Sequence, residues 1–148
     1  MKNLKTIISI FVVVILSISC SKEDEKPPSL IGKWEFVKQI DYEPNNVLGP
    51  EKEPDFNSPN CNKGYFEFKE NNQLFFGIYD RTSCNFALAE GRYIFDGKFI
   101  SAEIIVPFNG SIIIIKTLSA TDLVIDFREQ SSTPTNILLF RFILKRIQ

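Results

Sequence analysis

Three cysteines, Cys20, Cys61 and Cys84, and a few grouped carboxylates are the side chains of this chain best placed to do chemistry. Histidine is absent from all 148 residues, which removes Ser-His and Cys-His nucleophile pairs and His-based metal sites. Paired carboxylates can still run glycosidase-type chemistry, and Glu51, Glu53 and Asp55 form the densest acidic group. They lie in a Pro-rich stretch beside Lys52, where a solvated role is expected. Glu103 falls on an otherwise apolar strand, sharing with Ser101 the face turned away from Ile100, Ala102 and Ile104. The seven glycines are scattered among turns and the first strand, so no phosphate-cradling loop is present. The expectation is a non-enzyme with no catalytic residue, no metal site and no cofactor.

The chemistry of Cys20 is acylation. Met1 to Lys5 carries two lysines, Ile7 to Ile18 is apolar except for Ser9 and Ser17, and Ser19-Cys20 follows at once. A basic start, a short apolar stretch and a small residue at the cut define a secretory signal peptide, and the stretch is too short for a spanning helix of ~20 residues. Residues 1–19 are therefore expected to be removed, leaving Cys20 as a lipid-modified N-terminus. Residues 20–29, with the polar run Ser21 to Lys26 and then Pro27-Pro28, read as a tether, and 30–148 as one domain.

Cleavage removes Lys2 and Lys5 from the 17 basic side chains, which leaves the 18 acidic ones in excess and the mature chain at net −3. No basic stripe interleaved with aromatics exists, so nucleic acid is not an expected partner. In an oxidising envelope the two remaining cysteines, Cys61 and Cys84, read most simply as a disulfide; a two-thiolate metal site lacks its other ligands.

The elements that must position these residues are strands. Turn signals recur every eight to twelve residues, the mark of an all-β sandwich or barrel. Expected strands are Ile31 to Ile40, Tyr65 to Lys69, Gln73 to Asp80, Leu88 to Phe95, Lys98 to Val106, Ser111 to Leu118, Leu123 to Arg128 and Asn136 to Arg146. Asn71-Asn72 supplies one turn; centred between Asn72 and Gln73, it sets Cys61 opposite Cys84. Asp96-Gly97 is expected to make a type I′ turn, and Asn109-Gly110 repeats the device. Asp41 to Asn60 reads as a long irregular loop. On the last strand Leu138, Phe140, Phe142 and Leu144 share one face, with Arg141 and Lys145 on the other. Eight sequential antiparallel strands close into a single up-and-down barrel, an open sandwich being the alternative.

Two resemblances follow from particular residues. Leu16-Ser17-Ile18-Ser19-Cys20 resembles the lipobox of bacterial lipoproteins in its looser Bacteroidota-type form, with Ser17 at the usual apolar position. In such bacteria the tract Ser21-Lys22-Glu23-Asp24-Glu25 resembles a surface-export signal, and Ser21 resembles outer-membrane sorting. Leu30-Ile31-Gly32-Lys33-Trp34 is similar to the Gly-x-Trp start of lipocalin barrels. Cys61, Phe66, Phe68 and Cys84, with Leu118-Ser119-Ala120-Thr121-Asp122-Leu123, extend the likeness to the lipocalin-like lipoproteins of Bacteroidota-type bacteria. That likeness implies a barrel closed by Gly32 and Trp34, with a basic residue of the last strand on the indole: Arg141, the other candidates being Lys145 and Arg146. It also implies a small hydrophobic or amphipathic ligand, for which Phe66, Phe68, Phe76, Tyr93, Phe127 and Phe140 are candidate lining. The alternative is a non-catalytic interaction module using the 41–60 loop, with Tyr42, Val47, Leu48 and Phe56 as contacts, to bind an envelope protein or glycan. The expected location is the outer membrane, lipid-anchored through Cys20, with exposure at the cell surface if the acidic tract acts as an export signal.

Overall fold

The computed structural model describes residues 27–57, 59–104, 111–129 and 137–147. Residues 1–19 (expected to be a signal peptide), Cys20, the acidic tract, Asn109-Gly110 and Pro134 lie outside the described residues. Among the described residues nine strands follow one another: β1 (Gly32–Glu43), β2 (Val47–Lys52), β3 (Tyr65–Phe68), β4 (Gln73–Tyr79), β5 (Phe86–Phe95), β6 (Phe99–Ile104), β7 (Ser111–Leu118), β8 (Asp122–Glu129) and β9 (Leu138–Ile147). All pairings are antiparallel, and β9 pairs back onto β1. β1 and β3 to β9 thus close an eight-stranded up-and-down barrel.

Period-2 alternation decides which side chains enter it. Phe66 and Phe68 on β3, Leu74 and Phe76 on β4, Leu123, Ile125 and Phe127 on β8, and Phe142 and Leu144 on β9 are all buried with Trp34 and Phe36 in one core. Glu67, Lys145 and Ser101 face out. Closure needs strongly coiled strands, and extra residues supply local twist. The β1–β9 ladder skips Val37, and the β7–β8 ladder skips Lys116.

The ninth strand corrects the sequence reading of residues 41–60. β1 runs on to Glu43, turns through a single 3-10 turn at Pro44–Asn46, and returns as β2, which pairs only with β1. Asn45 and Asn46 both take positive φ there, a conformation that asparagine tolerates. β2 escapes an alternation reading because Gly49, Pro50, Glu51 and Lys52 fill most of it, and the proline and charges suit an edge strand. Two turns also differ from expectation. Only Gly97 has positive φ at Asp96-Gly97, so the type I′ form is not adopted; the Asp96 carboxylate instead accepts from the Lys98 and Phe99 amides at 2.9 and 2.7 Å. The β3–β4 ladder pairs Phe68 with Leu74 and so centres on Asn71, one to two residues earlier than Cys61 and Cys84 require as a ladder pair.

Candidate functional site

The barrel's two ends are built differently. At one end three short turns, 69–72, 96–98 and 119–121, meet the start of β1 and the end of β9. Trp34 is 0% exposed there, and its indole N–H donates to the Leu30 carbonyl at 2.8 Å. The guanidinium lying 4.1 Å from the indole centre belongs to Arg146, not to Arg141. Arg146 also donates to the carbonyls of Ala120 (2.8 Å), Ile31 (2.7 Å) and Ser29, tying β9, the 119–121 turn and the residues before β1 into one floor. Gly32 has φ +133°, and a Cβ there would land on Nη1 of Arg146. The glycine of the Gly-x-Trp motif therefore makes room for the arginine that covers its tryptophan. Strand parity carried the needed signal: Arg146 continues the Phe142, Leu144 face and pairs directly with Trp34, whereas Arg141 and Lys145 lie on the outer face.

Arg141 instead forms a network outside the barrel. Its Nε and Nη2 grip the Asp126 carboxylate at 2.6 and 3.0 Å, and the Tyr42 hydroxyl donates to the same carboxylate at 2.9 Å while accepting from Nη2 at 2.9 Å. Asp126 is only 1% exposed. Burial, and then the Asp126 carboxylate beside it, push the Tyr42 phenol up to about 12. The hydrogen bond to Asp126 likewise raises Arg141.

The six candidate lining aromatics all point inward but at different levels. Phe68 and Tyr93 meet edge to face at 5.2 Å near the floor, where the Tyr93 hydroxyl donates to the Lys69 carbonyl at 3.0 Å. Phe66 and Phe76 lie 5.1 Å apart at mid-height. Phe127 and Phe140, 4.9 Å apart, stand on the opposite wall towards the other end. These rings pack on Phe36 and Phe142 rather than on empty space: Phe36 lies 4.9 Å from Phe66 and 4.8 Å from Phe142.

Among the described residues, the other end carries the β1–β2 arm, residues 53–57 and 59–64, and the 80–85 loop. Here the reading of Phe56 as an outward contact is corrected. Its ring turns into the barrel and meets Phe36, Phe76 and Phe142 at 4.8, 5.8 and 5.6 Å. Asn57, fully buried, fixes the segment: its Nδ2 donates to the Phe36 carbonyl and its Oδ1 accepts from the Gly64 amide, both at 3.0 Å. Gln39, on the inner face of β1, accepts from the Asp55 amide at 3.2 Å and donates to Asp41 and Asp55 carboxylates at 2.7 and 3.3 Å. Lys52 bridges Asp41 and Asp55, and its hydrogen bond holds Asp41 below its ordinary value. The three carboxylates at 51, 53 and 55 are not gathered into an acid–base pair, since Glu51 pairs with Lys38 and Asp55 with Lys52 and Gln39. A disulfide joins Cys61 to Cys84, with Cα atoms 5.4 Å apart, and so clips the 53–64 connection to the β4–β5 loop beyond the ends of the ladder. Among the described residues no three His, Cys, Asp or Glu side chains cluster to hold a metal.

An eight-stranded antiparallel calyx, sealed at one end by a tryptophan under an arginine and bounded at the other by longer segments, is the class these features define. The family model for the lipocalin-like domain matches residues 30–125, and the chain belongs to that family. Among solved structures it is similar to a lipocalin-like protein from Bacteroides uniformis ATCC 8492, at 13% identity and a TM-score of 0.55 over 80% of this chain and 98% of that one. At that identity the likeness shows the fold. No functionally curated protein matches the chain.

Proposed function

We propose that this protein is a lipid-anchored binding protein of the bacterial outer membrane, held by an acylated Cys20, that takes a small hydrophobic or amphipathic ligand at the open end of its barrel. The observation that carries this reading is the asymmetry of the calyx. One end is locked by Trp34, Arg146 and short turns, while aromatic walls at the other are covered by residues outside the barrel ladder. Apolar walls with a few fixed polar groups are what small-molecule sites offer. Native mass spectrometry of the mature chain purified from its own envelope tests it. A reproducible added mass released by organic solvent is the expected result, and a bare chain mass, two hydrogens short for Cys61–Cys84, would overturn it.

One observation favours a second reading, an interaction module for an envelope protein or glycan. Val47 and Leu48 on the β1–β2 arm are 55% and 43% exposed, apolar surface that a plain edge hairpin does not require. Replacing both with serine leaves partner capture unchanged if the arm has no such role.

A further inference from the structure

Phe56 fills the space between Phe36, Phe76 and Phe142 inside the barrel. Its ring comes from a segment outside the barrel ladder, yet three inward-facing rings of β1, β4 and β9 receive it. Gly64 leaves it room, since a Cβ there would stand 3.1 Å from the ring. Withdrawal of residues 53–57 breaks no strand pairing. It breaks the Asn57 bonds to Phe36 and Gly64 and the Asp55 bonds to Gln39. What is left is an apolar cup of Phe36, Phe76 and Phe142 with the Gln39 amide, a donor and an acceptor, at its lip.

Resting on the carrier reading above, we infer that Phe56 is a built-in competitor for the ligand site. The ligand that displaces it carries an aromatic or compact alkyl group and a neutral polar head. The head preference follows from the charges at the lip. Asp55 leaves with residues 53–57, and Asp41 stays paired with Lys52 beside Gln39, so the lip keeps no net charge and an anionic head would be desolvated there without a counter-charge of its own. An amide or hydroxyl replaces the hydrogen bonds that Gln39 gives up. A site filled by its own chain weakens apparent affinity by the fraction of time it stands open, so emptying it tightens binding.

The test uses two probes with one aromatic core, neutral N-phenyl-1-naphthylamine and anionic 8-anilinonaphthalene-1-sulfonate. Each is titrated by fluorescence into the mature chain carrying Cys20→Ala. The expected result is binding of the neutral probe that tightens about tenfold in Phe56→Ala, with the sulfonate weaker in both. Asp55→Ala, which loosens the segment and leaves the core filled, tightens the neutral probe in the same direction and serves if Phe56→Ala fails to fold. Equal affinity of wild type and both variants for the neutral probe overturns the competitor role while leaving the carrier reading standing. Preference for the sulfonate overturns the head-group assignment. No binding of either probe to any variant overturns this inference and counts against the carrier reading itself.

Discussion

The contact between Gly32 and Arg146 gives a prediction whose sign is set by geometry. Gly32→Ala does two things at once: it forces a side chain into φ +133° and drives a Cβ into the guanidinium. The backbone term costs about 1–2 kcal/mol. Eviction of Arg146 adds the loss of its cation–π contact, about 0.5–2 kcal/mol. It also adds the loss of the carbonyl bonds to Ala120, Ile31 and Ser29. Partial solvent access holds these to about 1–2 kcal/mol together. Gly32→Ala is thus expected to cost about 3–5 kcal/mol and Arg146→Ala about 2–4 kcal/mol. In the double variant the arginine is already gone, so the Cβ clashes with nothing and only the backbone term is added. The cycle should therefore be non-additive by the whole Arg146 term, about 2–4 kcal/mol, the double variant being more stable than the sum of the singles predicts. Trp34 is the single tryptophan of the chain and lies under the guanidinium, so urea unfolding followed by its fluorescence reads the cycle directly. Additivity within about 0.5 kcal/mol would refute the claim that the motif glycine exists to admit the arginine.

The Cys61–Cys84 bond closes a sequence separation of 23 residues, so replacing both cysteines with alanine should lower unfolding stability by about 3 kcal/mol in the chain-entropy model, read as a shifted urea midpoint. Arg141→Met leaves the Asp126 carboxylate buried without its counter-charge and should cost about 3–5 kcal/mol, whereas adding Asp126→Leu to it recovers much of the loss; equal stability of the single and double variants would contradict this. The Tyr42 phenol ionises near 12 in the folded chain against 10 when free. Its neutral form is favoured by folding, so that stability is full below pH 10 and is lost as pH rises from 10 towards 12. Thermal melts across that window should fall more gently in Tyr42→Phe than in the wild type.

Barrel strands were legible in the sequence where alternation was strong: Phe66 and Phe68 around Glu67, or Leu123, Ile125 and Phe127 around Val124 and Asp126, admit one orientation once one face is apolar. Contacts between distant segments were less so. The β8 alternation places Asp126 on the polar face, which is correct, yet its burial depends on Arg141, 15 residues away, and Tyr42, 84 residues away. Parity on β9 separates Arg146, which continues the Phe142 and Leu144 face and pairs with Trp34, from Arg141 on the outer face. Phe56 was not readable. Nothing local distinguishes a phenylalanine of a Pro-Asp-Phe-Asn stretch that faces solvent from one that folds into a barrel, because the deciding partners, Phe36, Phe76 and Phe142, come from three strands.

The same aromatic stock serves opposite purposes at the two ends. At the floor, Trp34 and Phe68 belong to strands held in the closed ladder, and Arg146 is both a strand residue and the cover. Exposing the indole therefore requires pulling β9 from β1, which approaches global unfolding. At the mouth, the covering ring comes from a connection whose attachments are side-chain bonds of Asn57, Gln39 and Asp55, each worth about 1 kcal/mol net. Local openings span free energies from near zero to that of global unfolding, and these two ends sit towards opposite limits of that range. The disulfide beyond Asn57 anchors the far side of the connection to the β4–β5 loop, so the displacement inferred for residues 53–57 would take place between fixed points. A barrel filled with rings is thus compatible with binding: the rings that stabilise it and the ring inferred to move are attached to different parts of the chain.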